Sequence, residues 1–122
     1  MLDKMFDSNK IIEKSLDAVW TRNKAISQNI ANVDTPGYKR KTVSFEDNLR
    51  LALKNSNYEK DDVDNIDITI TQDNKNLSVR LDGNNVNIDN EMAALAENTI
   101  RYNALVQCAG FSSLKYVLMN VK

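Results

Sequence analysis

Apolar residues in the first third of the chain recur at alternating spacings of four and three positions. From about Ser8 to Val33 the sequence contains neither Gly nor Pro, so nothing there interrupts a helix. The spacing is that of a heptad stripe, and its members are Ile12, Leu16, Val19, Asn23, Ile26, Ile30 and Val33. The pattern predicts a helix of about 25 residues, roughly 37 Å long, in which the polar Asn23 sets the register against a partner.

A second stripe with the same alternation lies near the end of the chain. Its members are Leu95, Thr99, Tyr102, Val106 and Ala109, and the sequence predicts a helix from about Asp89 onward, capped by Asp89 or Asn90. Further apolar residues flank both stripes, so each helix exposes a wider apolar face than a two-helix hairpin can cover. We call the two stripes together the assembly seam.

The segment between the helices begins with a turn signal. Pro36-Gly37 is the preferred central pair of a type II turn and predicts the end of the first helix. An extended segment containing the basic triplet Lys39-Arg40-Lys41 follows, and this triplet is interpreted as a solvated strand face or a contact to an acidic patch on a neighbouring subunit. A short helix capped by Ser44 is predicted next, with one apolar face formed by Phe45, Leu49 and Leu53.

The middle of the chain is polar and acidic, with eight acids against three bases over residues 56–90. Two alternating patches there predict short strands able to pair as a small β-hairpin; they are Ile66, Ile68 and Ile70, then Leu77, Val79 and Leu81. The fold prediction is therefore mainly α, with two long terminal helices packing as a helical hairpin or coiled-coil-like bundle around a loop-rich middle. The segments are an N-terminal assembly helix (1–35), a turn with an extended segment and short helix (36–55), a variable insert (56–89) and a C-terminal assembly helix (90–122).

Composition narrows the function classes. Sixteen bases against 17 acids in 122 residues leave a net charge of −1, which argues against a nucleic-acid binder. The chain has no histidine and one cysteine, so the commonest general base and metal ligand are both missing. The acidic pairs Glu46-Asp47 and Asp61-Asp62 lie in polar stretches and are interpreted as solvated surface. The sequence thus indicates no catalytic, cofactor or metal site, and no enzyme.

Targeting signals are also missing from the sequence. No apolar run approaches the ~18 residues that span a bilayer, and residues 1–7 lack the basic and apolar regions of a cleavable signal peptide. These observations alone predict a cytoplasmic protein. The heptad stripes fit either ordinary packing within one domain or assembly with other subunits, and periodicity leaves both interpretations open.

One continuous segment, residues 26–39, resembles the N-terminal signature of flagellar rod and hook proteins. The resemblance rests on an Asn-Ile-Ala-Asn core followed by a Thr-Pro-Gly-Tyr-Lys turn, formed by Asn29, Ile30, Ala31, Asn32, Thr35, Pro36, Gly37, Tyr38 and Lys39. The chain length excludes the hook and distal-rod types, which carry large inserted domains. Residues 81–92 and 98–105 are similar to those of one of the two short proximal rod types; the other short type, FlgC, is the alternative.

The resemblance implies a structural subunit of the proximal rod, which assembles through its terminal helices, transmits torque from the motor ring to the hook and is required for motility. It implies export through the flagellar type III apparatus without a cleaved signal, which replaces the cytoplasmic prediction with a place in the rod, in the periplasm or cell-wall space. The implied partners are other copies, other rod proteins and the rod–ring adaptor FliE. A flagellar export chaperone or adaptor and a cell-wall hydrolase are the competing classes.

Overall fold

Two long helices account for most of the chain. The computed structural model describes residues 2–54, 65–73 and 80–120. Helix α1 spans Leu2–Ala31 and helix α3 spans Ile88–Asn120. Between them, in chain order, come strand β1 (Lys41–Ser44), the short helix α2 (Glu46–Lys54) and strand β2 (Thr69–Gln72). The predicted mainly helical fold with long terminal helices is confirmed.

Helices α1 and α3 pack against each other in antiparallel directions. Near the end of α1, Asn29 contacts Glu91 in the first turn of α3. Ten residues earlier on α1, the Val19 carbonyl accepts a hydrogen bond from Asn98, seven residues further along α3. Residues nearer the start of α1 thus contact residues further along α3. The two helices therefore run antiparallel and form the predicted helical hairpin.

A second face of α1 packs against the middle of the chain. Ala18 is buried there in a cluster with Phe45 and Ile66, and its small side chain allows α2 to approach closely. Leu49 and Ala52 complete this cluster from α2, whereas the predicted Leu53 is half exposed. The face of α2 therefore follows positions i, i+4 and i+7, as the helical repeat requires.

The two strands form a small antiparallel sheet, but β2 pairs with β1 and not with the predicted partner. The register places Val43 opposite Ile70. Of the predicted partner strand, Leu77 and Val79 lie outside the described residues, and Leu81 lies exposed in a turn. Burial of Ile66 in the core beside Phe45 lays the following residues alongside β1, a contact that hydropathy alternation alone does not reveal.

Local sequence signals predicted the turn correctly and the helix caps incorrectly. The type II turn is confirmed by a φ of 75° at Gly37 and by a hydrogen bond of 3.3 Å from the Tyr38 amide to the Thr35 carbonyl. The predicted caps of α3 are wrong, because Oδ1 of Asn87 accepts the amides of Asp89 and Asn90 at 3.0 and 3.4 Å.

Two further boundaries also differ from prediction. The cap at Ser44 is wrong because Ser44 is the last residue of β1 and α2 begins at Glu46. Helix α1 ends at Ala31, so Val33 lies in the turn that follows it.

Candidate functional site

A buried group of polar side chains joins the end of α1, the segment that follows it and the first turn of α3. We call Asn29, Tyr38, Arg40 and Glu91 the polar junction. Asn29 and Glu91 are fully buried. The two carboxylate oxygens of Glu91 accept hydrogen bonds from Nε of Arg40 at 2.8 Å and from Nδ2 of Asn29 at 3.2 Å. A buried carboxylate is thus both paired and hydrogen-bonded, as burial of a charge requires.

Asn29 uses its whole hydrogen-bonding capacity within this group. Its Oδ1 accepts from the Tyr38 hydroxyl at 3.0 Å and from the Lys41 amide at 2.8 Å. Its Nδ2 donates to the Lys41 carbonyl at 2.9 Å as well as to Glu91. An amide side chain offers two acceptor sites and two donors, so Asn29 binds the start of β1 as a neighbouring strand would.

The polar junction contains one phenol, that of Tyr38, and the surroundings of this group change its pKa. Burial raises the pKa of Tyr38, and the nearby carboxylate of Glu91 raises it further. Arg40 also lies 3.6 Å from Asp73, at the end of β2. The basic triplet therefore does contact acidic groups, and those groups belong to the same chain.

The raised pKa of Tyr38 has a consequence for stability at high pH. Below pH 10.0, the ordinary pKa of tyrosine, the phenol is protonated in both the folded and unfolded states. Above it the unfolded chain ionises first, so the folded state binds more protons and the free energy of unfolding falls as pH rises. At neutral pH we expect Tyr38→Phe to cost about 1 kcal/mol, from the lost bond to Asn29, and the difference from the unmodified protein to shrink above pH 10.0.

Urea unfolding of both proteins at a series of pH values measures this difference. Tyr102→Phe is the control at neutral pH, because the Tyr102 ring is half exposed and we expect a change within about 0.5 kcal/mol. A constant difference between Tyr38→Phe and the unmodified protein from neutral to strongly alkaline pH would contradict the assignment.

The loop before α3 closes the C-terminal end of α1. Asn84 is fully buried, and its Nδ2 donates to the carbonyls of Asn32, Val33 and Thr35 at 2.8, 2.9 and 2.9 Å. Its Oδ1 accepts from the Val86 amide at 2.8 Å. These three carbonyls belong to the turn that follows α1, and Asn84 supplies their donor from a residue some fifty positions away.

Two glycines allow the loop and the turn to approach each other. Gly83 has a φ of 80°, and a Cβ at that position would lie 3.6 Å from the Cα of Gly37. The Gly37 amide donates to the Asp82 carbonyl at 2.7 Å, and Nζ of Lys39 donates to the Gly83 carbonyl at 2.6 Å. The turn and the loop preceding α3 are thus held together by a backbone hydrogen bond and by the side chains of Lys39 and Asn84.

A shared carboxylate links the two long helices on the other side of β1. Glu46, at the start of α2, binds both Nη atoms of Arg22 on α1 at 2.6 and 2.8 Å, and Nη1 of Arg101 on α3 at 2.8 Å. Burial acts to raise the pKa of Glu46, but the hydrogen bonds and charge of Arg22 and the charge of Arg101 outweigh it. The pKa of Glu46 therefore lies below its ordinary value.

The structure brings the N-terminal part of the assembly seam together more completely than the C-terminal part. Val19 and Ile26 are buried. The half-buried members are Ile12, Leu16, Asn23, Ile30, Val33, Leu95 and Ala109, and the exposed ones are Thr99, Tyr102 and Val106. The row of α3 that loses most exposure is instead formed by Glu91, Ala94, Leu95, Asn98, Leu105, Ala109 and Ser112.

The opposite side of α3 carries a second heptad row that faces solvent. We call Ile100, Ala104, Gln107, Phe111, Leu114 and Leu118 the outer stripe; all are exposed, and Phe111 is 70% accessible. At 100° per residue this row lies across the helix from Leu105, Ala109 and Ser112. Between residues 99 and 120 no side chain is fully buried. The distal two thirds of α3 therefore present apolar surface that the described part of the chain does not cover.

The residues that sequence reasoning missed are mainly polar. Glu91, Arg40, Asn84 and Asn98 are buried or paired across the fold, and none of them is among the predicted site residues. One signal was available, since positions 91, 98, 105 and 112 repeat every seven residues. Glu91 and Asn98 are polar and Ser112 is small, so apolar spacing alone does not indicate that this row packs on α1.

The described residues contain neither a membrane span nor a metal cluster. None of the helices there is both long and apolar enough to cross a bilayer. Within the same residues, no three His, Cys, Asp or Glu side chains come together in a way that could hold a metal ion.

A family match covers the turn and two members of the polar junction, Asn29 and Tyr38. The model of the family described as "Flagella basal body rod protein" matches residues 21–39, the segment that also holds Arg22 and Lys39. The match indicates the class of flagellar rod proteins, a class that is structural and not enzymatic, and the relatives below extend it to the whole chain.

Full-length relatives specify the member of the class. The flagellar basal body rod protein FlgB of Bacillus subtilis is 39% identical over 119 residues, covering 91% of this chain and 92% of the relative. FlgB of Borreliella burgdorferi is 34% identical, with 84% and 89% covered, and FlgB of Escherichia coli is 28% identical, with 84% of each covered. The chain belongs to the FlgB family of flagellar basal body rod proteins.

Proposed function

We propose that this rod subunit self-assembles through α1 and α3 and transmits torque from the motor ring to the hook in the proximal rod, so that motility requires it. The outer stripe carries this proposal. An apolar heptad row that is exposed along the distal two thirds of α3 needs a helical partner to exclude water, and no other part of the described chain covers it. The assembly segments are residues 1–35 and 90–122.

The polar junction suits a subunit that bears torque. Its charge-assisted hydrogen bonds connect α1, the segment after the turn and α3 at one end of the hairpin, and such bonds are roughly twice as strong as neutral ones. Glu46 adds a second connection between the helices beyond β1. A load applied through α3 would therefore pass to α1 through directional contacts as well as through apolar packing.

We further propose that assembly completes the folding of α3. The first third of α3, up to Asn98, has two buried polar side chains bonded to α1, whereas the described residues beyond it have no fully buried side chain. Ordering of that distal part would follow contact with neighbouring subunits. Those neighbours are other copies, other rod proteins and the adaptor FliE, reached after type III export without a cleaved signal into the periplasm or cell-wall space.

Charged substitutions in the outer stripe test the proposal. In a strain that lacks its own copy, we expect the double variant Leu114→Asp/Leu118→Asp to be absent from purified hook–basal bodies and to leave cells non-motile. Both residues are more than half exposed, so the purified variant should keep the helical circular dichroism of the unmodified protein. Burying a carboxylate in an apolar interface costs several kcal/mol, enough to prevent incorporation.

The control is Ser113→Asp, which adds one of the two negative charges of the double variant to the same turn of α3, outside the outer stripe. We expect it to retain incorporation and swimming. Motile cells with the double variant would contradict the proposal, as would failure of the unmodified protein to co-purify with hook–basal bodies. Equal loss with Ser113→Asp would contradict the assignment to this particular face.

A further inference from the structure

A buried asparagine lies in the interface between the two long helices with one of its polar atoms unsatisfied. Asn98 is 3% exposed, and its Nδ2 donates to the carbonyl of Val19 at 3.0 Å. Its Oδ1 is buried and accepts no hydrogen bond from the described part of the chain. A buried acceptor without a donor destabilises the folded state, so Asn98 is a costly residue for this position.

The surroundings of Asn98 are only partly apolar. Asn98 borders a cleft of about 270 Å³ between α1, β1 and α3, whose apolar lining is Ala25, Ile26, Val43 and Ala94 and whose polar lining includes Arg22, Glu97 and Arg101. Within the described residues none of these side chains donates a hydrogen bond to Oδ1 of Asn98. The Asn98 amide is therefore only half satisfied where it lies.

We propose that Asn98 fixes the register of α1 against α3, at a cost in stability. A buried polar side chain in a heptad row favours the register in which it meets its hydrogen-bond acceptor over registers that bury it among apolar side chains, and here the acceptor is the main-chain carbonyl of Val19. Asn98 thereby has the role that the sequence suggested for Asn23, which is only half-buried. The hydrogen bond that carries this role joins residues 79 positions apart.

The hairpin needs such a residue because its apolar rows repeat. A slip of seven residues toward the start of α1 would retain apolar contacts, but it would move Asn98 from Val19 to Ile12. A slip the other way would carry Glu91 past the end of α1, away from its partner in the polar junction.

The test uses Asn98→Leu with Asn103→Leu as its matched control, since Asn103 is exposed on the same helix. Spin labels on Cys108, the only cysteine, and on Asp17→Cys report the register in the full chain by double electron–electron resonance. The unmodified protein and the control should give one distance. In Asn98→Leu we expect additional distances displaced by about 10 Å, the length of one heptad, together with a urea midpoint raised by roughly 0.5 M.

A single unchanged distance in Asn98→Leu would overturn the proposal whatever its stability, and so would a lowered urea midpoint in a folded variant. If Asn98→Leu fails to fold, Asn98→Ala removes the amide without adding volume, and a single distance there would likewise overturn it. These measurements on purified protein do not depend on the proposed place in the rod. Only the accompanying expectation of fewer rod-incorporated copies in cells rests on that proposed function.

Discussion

Replacing Glu91 by alanine is expected to lower the free energy of unfolding by about 3 kcal/mol. Removing one partner of a buried ion pair costs roughly 3–5 kcal/mol, because the other charge is left uncompensated. The lower end applies here, because the Arg40 side chain is 28% exposed and retains Asp73 at 3.6 Å. Asn29 would also lose its bond to the carboxylate, which loosens the contact between α1 and α3.

Urea unfolding followed by far-UV circular dichroism measures this change. Glu91→Gln keeps the shape and an acceptor for Asn29 but removes the charge, so about half of the loss is expected to remain. Glu97→Ala is the matched control, because Glu97 lies on the same helix and is largely exposed in an i,i+4 pair with Arg101, a pair worth about 0.3–0.5 kcal/mol. A loss below about 1 kcal/mol in Glu91→Ala would mean that the polar junction does not hold the hairpin.

The second large effect is expected at Asn84. Asn84→Ala removes the donor to three carbonyls at the end of α1 and the acceptor of the buried Val86 amide. The carbonyls of Asn32, Val33 and Thr35 lie near solvent and can bind water, so the loss should be about 2 kcal/mol, within the range for unsatisfied buried groups. Hydrogen exchange at the start of α3 should also rise, because the loop that positions this helix is released.

Asn84→Asp separates hydrogen bonding from packing at the same site. The carboxylate still accepts from Val86, but its second oxygen replaces the donor that faced three carbonyl oxygens, so we expect a greater loss than with alanine. Asn103→Ala is the control, being an exposed asparagine in mid-helix whose replacement should be neutral or slightly stabilising. If Asn84→Asp is as stable as the unmodified protein, the orientation of the Asn84 amide is the reverse of the one described.

Features that depend only on residues close together in the sequence could be predicted from the sequence. Heptad spacing predicted both long helices, and Pro36-Gly37 predicted the turn, because helical periodicity and turn dihedrals are local properties. The signature in residues 26–39 identified the rod family, which the relatives confirm. The helix caps were predicted wrongly, because several polar residues near each helix start can cap the helix and the geometry of the preceding loop selects one of them.

Sequence alone also could not choose which row of α3 packs on α1. Apolar residues surround the distal two thirds of that helix, so the row through Leu95 and Thr99 and the row through Glu91 and Asn98 are both consistent with heptad spacing. Two contacts make the choice. One joins Asn29 and Glu91, which are 62 positions apart in the chain, and the other joins Val19 and Asn98, which are 79 positions apart. Each needs a polar atom on one helix to meet a partner on the other, which is a property of the assembled hairpin and not of either helix.

The sequence by itself therefore determined two amphipathic helices, a turn between α1 and β1 and membership of the rod family, because these depend on residue order over short distances. Only the tertiary structure decided that Asn29, Tyr38, Arg40 and Glu91 form one buried group, that β2 pairs with β1, and that the outer stripe stays uncovered. Burial makes a polar group costly unless a partner is in place, and partners distant along the chain meet only once the chain has folded.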